Sequence, residues 1–224
     1  MLDKSLLVCY STPNYSNLTQ IFLNSLNLVG IQNIKHLIEK PNEEITKEAG
    51  FQTDLWYFCV RNKIEYLINV LTENCINNYY DFFIFSDCDI YFYTKNKSEW
   101  YVLEKMINNS KNDIFFMREE DSNDVNSGFF IIKNNESIQN LINFFKEVIQ
   151  IMDQTAKNNM PFGDQSIINL LKDKIKYDYI PNEFVVFGSK IYNKNKTLFH
   201  HAVGCKNVEE KIVQINYIKS VIES

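Results

Sequence analysis

Runs of apolar residues bounded by turn-forming ones alternate along this chain with segments of helical period, the pattern of an α/β domain. It predicts a first strand over Ser5 to Tyr10, a helix over about Asn17 to Leu28 and a second strand over Ile34 to Ile38. The strongest helical pattern runs from Asp54 to Leu71, where Val60, Ile64, Leu67, Ile68 and Leu71 form one apolar stripe and Asp54 stands at the capping position. The run Tyr80-Asp81-Phe82-Phe83-Ile84-Phe85 follows, and its continuous hydrophobicity is that of a central parallel strand buried on both faces. It stops abruptly at Ser86-Asp87-Cys88-Asp89.

Beyond it the pattern predicts a helix from Ser98 to Ile107, a strand from Ile114 to Met117, a polar loop and a strand from Gly128 to Ile132. Ser137 is placed to cap an amphipathic helix through Met152, and Phe162-Gly163-Asp164-Gln165 opens another through Leu171. Strands near Tyr177 to Ile180 and Phe184 to Phe187 precede a Lys/Asn-rich loop, then Leu198-Phe199-His200-His201, and a closing helix spans Asn207 to about Ile222. With no internal repeat and no Pro-, Gly- or Ser-rich linker, residues 1–224 read as a single domain.

Composition narrows the function. A 224-residue chain that is 45% hydrophobic and 14% aromatic can bury a full core and is not disordered. No apolar stretch approaches the ~18 residues of a membrane span. The start, with acidic Asp3 and a short apolar run, lacks the form of a signal peptide, so the expected location is the cytosol. Twenty-three basic residues against 28 acidic ones give a net charge of −5, the wrong sign for a nucleic-acid binder. Only Arg61 and Arg118 are arginines, so a phosphorylated ligand would need its charge met by something else, and a divalent cation is the obvious candidate. The five cysteines are scattered and contain no Cys-x-x-Cys pair, which excludes a disulfide framework and a zinc knuckle.

Four segments carry candidate chemistry. Asp87-Cys88-Asp89 sits at the carboxyl end of the apolar strand, where open α/β sheets bind ligands. Two carboxylates at i and i+2 can reach one hard cation, which also compensates for charging the end of a buried strand. Asn126-Ser127-Gly128 reads as a turn that lets backbone approach a ligand closely before entering a strand. Asp164-Gln165 opens a helix, where Asp164 either complements the helix dipole or places a carboxylate, with the Gln165 amide, beside a reacting centre. In His200-His201-Ala202-Val203-Gly204-Cys205-Lys206 a strand alternates faces, so one of the two histidines can point into a site.

In this order the segments resemble the nucleotide-diphosphosugar transferase superfamily, glycosyltransferases of the GT-A fold, in the style of the retaining glycogenin-like and lipopolysaccharide galactosyltransferase enzymes. The resemblance extends from the first strand to Lys206. It implies a Rossmann-like, mainly parallel central sheet flanked by helices. It also implies transfer of a sugar from a nucleotide sugar, UDP-linked by preference, to a hydroxyl of a glycan, protein or small molecule with Mn²⁺ or Mg²⁺.

Residue by residue, Asp87 and Asp89 then match the Asp-x-Asp metal and diphosphate motif, and His201 the C-terminal metal histidine. Asn126, Ser127 and Gly128 match the donor-sugar turn, Asp164 and Gln165 the pair at the reacting centre, and Lys206 a phosphate-binding lysine. Tyr10, Ser11 and Thr12 would receive the nucleotide base, and Arg61 or Lys63 would reach the nucleotide or diphosphate. The family spaces its histidine and lysine one residue further apart than His201 and Lys206 are. A chain this short implies acceptor recognition by loops, by self-association or by a partner.

Two other readings compete. Asp87 and Asp89 also suit the nucleophile and general acid of a haloacid-dehalogenase-like phosphatase, although Tyr91 replaces the Thr or Val expected there and the motif strand comes late in the chain. The third reading is a catalytically degenerate module that binds sugar nucleotides.

Overall fold

The computed structural model describes residues 2–40, 53–75, 79–120, 122–158 and 162–224. The elements in chain order are β1 (Ser5–Ser11), α1 (Ser16–Val29), β2 (Ile34–Ile38), α2 (Asp54–Asn74), β3 (Phe82–Ser86), β4 (Ile90–Phe92), α3 (Glu99–Asn109), β5 (Ile114–Arg118) and β6 (Val125–Lys133). They continue as α4 (Ile138–Lys157), α5 (Asp164–Leu171), β7 (Tyr177–Tyr179), β8 (Val185–Phe187), β9 (Lys190–Ile191), β10 (Phe199–His201) and α6 (Val208–Glu223).

β1 and β3 are buried along their whole length, which explains why they read as unbroken apolar runs, since helices cover the sheet on both faces. The central sheet has the order β2-β1-β3-β6-β5-β7. β2, β1, β3, β5 and β7 run in one direction, and β6 alone runs against its neighbours β3 and β5. This is the mainly parallel α/β architecture expected from the sequence.

One face packs on α2, α4 and α5 through Leu67, Leu71, Phe85, Phe130, Phe145 and Ile168. The other packs on α1 and α3 through Phe22, Leu26, Trp100, Leu103 and Phe129. Among the described residues no helix is long and apolar enough to cross a membrane.

The second sheet, order β4-β10-β8-β9, was not expected. β4 and β9 are only three and two residues long, too short for periodicity to register. Their pairing explains the chain's course after β3: the polypeptide leaves the central sheet at Ser86, crosses in Asp87-Cys88-Asp89, and joins the second sheet at Ile90. α6 covers this sheet through Ile215, Ile218 and Ile222, which pack with Tyr91, Tyr93 and Val186.

Three local expectations are corrected. α2 is capped by Thr53, whose hydroxyl accepts from the Trp56 N–H at 3.2 Å, and Asp54 is the first helical residue. Ser137 occupies the N-cap of α4 without a side-chain cap bond. Asn126-Ser127-Gly128 is no turn but the start of β6, because Val125 and Asn126 already pair with Arg118 and Met117 across a β-bulge.

Phe130 is fully buried, 4.8 Å from the Phe85 ring centroid, 5.3 Å from Phe116 and 5.7 Å from Phe145. Phe130→Ala is expected to cost about 4 kcal/mol of stability through lost burial and the cavity it opens, read from the midpoint shift in urea unfolding.

Candidate functional site

The crossing segment explains why four distant stretches converge. The Asp87 N–H donates to the Gly128 carbonyl at 2.7 Å, extending the β3·β6 ladder by one residue, and the Ala202 N–H donates to the Asp89 carbonyl at 3.0 Å, extending β4·β10. Asp87 is therefore tied to β6, and Asp89 to the end of β10. Alternation turns Cys88 into the core and leaves both carboxylates on the opposite side.

The same alternation separates the histidines. His200 is fully buried, with Nε2 2.8 Å from the Gly188 carbonyl, and burial pushes its pKa down to about 4. His201 faces the carboxylates, with Nε2 3.2 Å from Asp89 Oδ1. Ligand atoms of Asp87, Asp89 and His201 all lie within 4.8 Å of one another. Gly128 makes room for this ring, since a Cβ there would lie 2.5 Å from His201 Cε1.

Lys63 joins this group to the start of α5. Its ammonium lies 3.2 and 3.3 Å from the two Asp87 oxygens and 3.0 Å from Asp164 Oδ2, and it is only 7% exposed. Burial alone works against its charge, but Asp164 and Asp87 outweigh it and hold the pKa above the ordinary lysine value. Burial pushes Asp87 up to about 6, with Lys63 opposing and Asp89 reinforcing the rise. At Asp89 burial acts in the same direction, but Lys211 and His201 win and hold the carboxyl well below the usual range.

Gln165, next to Asp164, accepts from the Ser127 N–H at 3.2 Å and donates to Glu119 Oε2 at 3.0 Å. The same Glu119 oxygen accepts from Asn126 Nδ2 at 2.6 Å, while Asn126 Oδ1 accepts from the Gly128 N–H at 2.9 Å. Asn126, Ser127, Gly128 and Gln165 thus form one hydrogen-bonded unit. Gly163 is the N-cap of this helix because a Cβ there would lie 2.6 Å from Trp56 Cη2.

Other expected residues lie apart from this group. Arg61 makes a two-pronged pair with Asp153 on α4, Nε to Oδ1 at 2.8 Å and Nη2 to Oδ2 at 3.2 Å, and bonds Glu65 at 2.6 Å. Its guanidinium joins α2 to α4, and Lys63 is the cation that meets the carboxylates. Tyr10, Ser11 and Thr12 close the end of β1, with the Tyr10 hydroxyl donating to Glu39 at 2.9 Å and Ser11 Oγ 2.8 Å from His36 Nε2. Lys206 is exposed, and its backbone N–H donates to Glu210 at 2.8 Å.

Two residues escaped the sequence reading. Glu119 follows directly on β5, at the carboxyl end of a parallel strand, a position that could have marked it. Lys211 bonds Asp89 Oδ2 and donates to the Ala202 carbonyl at 2.9 Å. Its signal was its register: it precedes Ile215, Ile218 and Ile222 by four, seven and eleven residues, so it shares their buried stripe.

The donor chemistry suits a hard divalent cation: two carboxylates and an imidazole converge, and His201 Nδ1 is buried without a hydrogen-bond partner among the described residues.

Comparison with known proteins adds to this geometry. A family model described as nucleotide-diphospho-sugar transferase matches residues 23–220. No curated protein matches the chain by sequence. Among solved structures, the fold is similar to that of a glycosyltransferase involved in the glycosylation of the major capsid of PBCV-1, with a TM-score of 0.63, 14% identity, and 94% of this chain and 99% of that one covered. It is also similar to the glycosyltransferase GlyE of Streptococcus pneumoniae TIGR4, with a TM-score of 0.57 and 16% identity. There 98% of this chain covers 63% of the other.

Because Gly128 leaves no space beside the imidazole, Gly128→Ala is expected to turn His201 away from Asp89. The forced contact should cost about 1–3 kcal/mol and shrink the rise in Tm on adding Mn²⁺, both readable by differential scanning fluorimetry.

Proposed function

The chain belongs to the nucleotide-diphospho-sugar transferase family, whose members are glycosyltransferases, and from that premise we propose that it transfers a sugar from a UDP-linked donor to a hydroxyl acceptor. Mn²⁺ or Mg²⁺ would be held by Asp87, Asp89 and His201. The observation that carries this reading is the convergence of these three side chains with Asp164, Gln165 and Asn126 at the carboxyl end of the parallel strands. A cation held there would supply positive charge to offset the negative charge developing on the leaving diphosphate.

The chain's own residues do the rest. Tyr10, Ser11 and Thr12 stand at the end of β1 to receive the base. Asn126, Ser127 and Gly128, at the start of β6 beside the carboxylates, would meet the sugar, and Glu119 fixes the Asn126 and Gln165 amides in one orientation. Asp164 shares Lys63 with Asp87, so the carboxylate nearest Gln165 is held at a fixed distance from the metal group. Held by Lys63 beside Gln165, Asp164 is placed to stabilise positive charge on the sugar, the role that goes with a retaining outcome.

The acceptor is a hydroxyl of a glycan, protein or small molecule. All five cysteines are free, which supports a reducing compartment such as the cytosol. The family match gives no support to the phosphatase reading, and turnover separates the transferase from a module that only binds.

Asp87→Asn and Asp89→Asn are expected to lower donor hydrolysis or transfer at least about 100-fold while circular dichroism stays that of the parent. Full activity in the presence of a chelator would remove the metal from the scheme. In the parent enzyme, the product formed from a UDP-sugar is expected to keep the anomeric configuration of the donor, read by proton NMR; inversion would transfer the role of base to Asp164.

A further inference from the structure

Each carboxylate of the Asp pair already has its own ammonium. Lys63 takes Asp87 and Lys211 takes Asp89, so with Asp164 included three carboxylates face two ammoniums and one net negative charge remains. A divalent cation binds carboxylate oxygens that are free of protons and of competing cations. Asp89 Oδ2 does not meet that condition while Lys211 is on it.

The two lysines are held differently. Lys63 lies between two carboxylates with 9% of its side chain exposed, and its departure would leave both unpaired, Asp164 with only 4% of its side chain exposed. Lys211 is held by one carboxylate and one carbonyl, has 16% of its side chain exposed, and stands in the second turn of α6. It is the cation that can leave at lower cost.

We propose that Lys211 is an internal counter-cation that competes with the divalent metal for Asp89, keeping metal affinity low until a diphosphate arrives to give the ammonium another acceptor. The role rests on the metal-dependent reading of the site, and it makes metal and diphosphate bind cooperatively, each favouring the other by the same factor. It also accounts for a lysine on the apolar stripe of α6, where leucine or isoleucine would pack at no electrostatic cost.

The test is Mn²⁺ affinity without nucleotide, measured by electron paramagnetic resonance on the full chain. Lys211→Gln, which keeps a donor for the Ala202 carbonyl, and Lys211→Met, which keeps the apolar stem, are expected to bind Mn²⁺ about 10-fold tighter than the parent. Lys211→Arg, which keeps the charge, should match the parent. Two variants guard against one failing to fold, which circular dichroism reports. Affinity in the folded variants that equals or falls below the parent's, or no Mn²⁺ binding by them at all, overturns the proposal. UDP binding by the parent, read separately by thermal shift, judges the donor reading alone: its failure with tighter Mn²⁺ binding in the variants removes the donor and leaves the counter-cation standing.

Discussion

The structure turns on three residues that carry the chain from one sheet to another while holding two carboxylates partly out of water. Burying an unpaired charge costs several kcal/mol, so Asp87-Cys88-Asp89 can exist here only with cations close by. Lys63 comes from α2, far in sequence from His201 and Lys211, which stand on the consecutive elements β10 and α6. The crossing therefore specifies how the outer elements dock: α2 must bring Lys63 to the end of β3, and α6 must lie so that Lys211 reaches Asp89. The opposite pKa shifts of Asp87 and Asp89 record the same competition, with desolvation ahead at one and the neighbouring cations ahead at the other.

Backbone pairing does the coarse positioning and side-chain size the fine. One additional ladder bond on each side, Asp87 to Gly128 and Ala202 to Asp89, brings β6 and β10 against the crossing segment. The missing Cβ at Gly128 then admits the His201 ring, and the missing Cβ at Gly163 admits Trp56, so that α5 seats with Asp164 against Lys63. Neither glycine has a positive φ. Both are required by close approach, a demand that appears only in three dimensions.

The sequence showed most of the central sheet because its strands are long and buried on both faces, and it showed the Asp pair because a charged doublet at the end of Phe-Phe-Ile-Phe is locally anomalous. Asp164 and Gln165 were legible for a similar reason, standing at a helix start after a glycine. The second sheet is hidden by strands of two and three residues, and Asn126 to Gly128 read as a turn because small polar residues normally break strands. Lys211 and Glu119 were missed for a different reason. Local pattern marks their places, a strand end for Glu119 and a buried helix stripe for Lys211, but not the partners they meet 46 and 122 residues away, Gln165 and Asp89.

Scarcity of arginine takes on a physical meaning here. One of the two guanidiniums is spent on joining α2 to α4, and the other stacks 4.0 Å from the Tyr179 ring. Neither meets the carboxylates. The cations that do are lysines on buried helix stripes, and an ammonium on a flexible stem differs from a guanidinium in the relevant respect: it is a point charge that can exchange one oxygen for another without giving up a planar fork. A site built on arginine would grip its carboxylates in two-pronged pairs and resist a second cation. Built on Lys63 and Lys211, it has all but one of its negative charges offset and, by the counter-cation role proposed for Lys211, yields one of its carboxylates when a ligand of greater charge arrives.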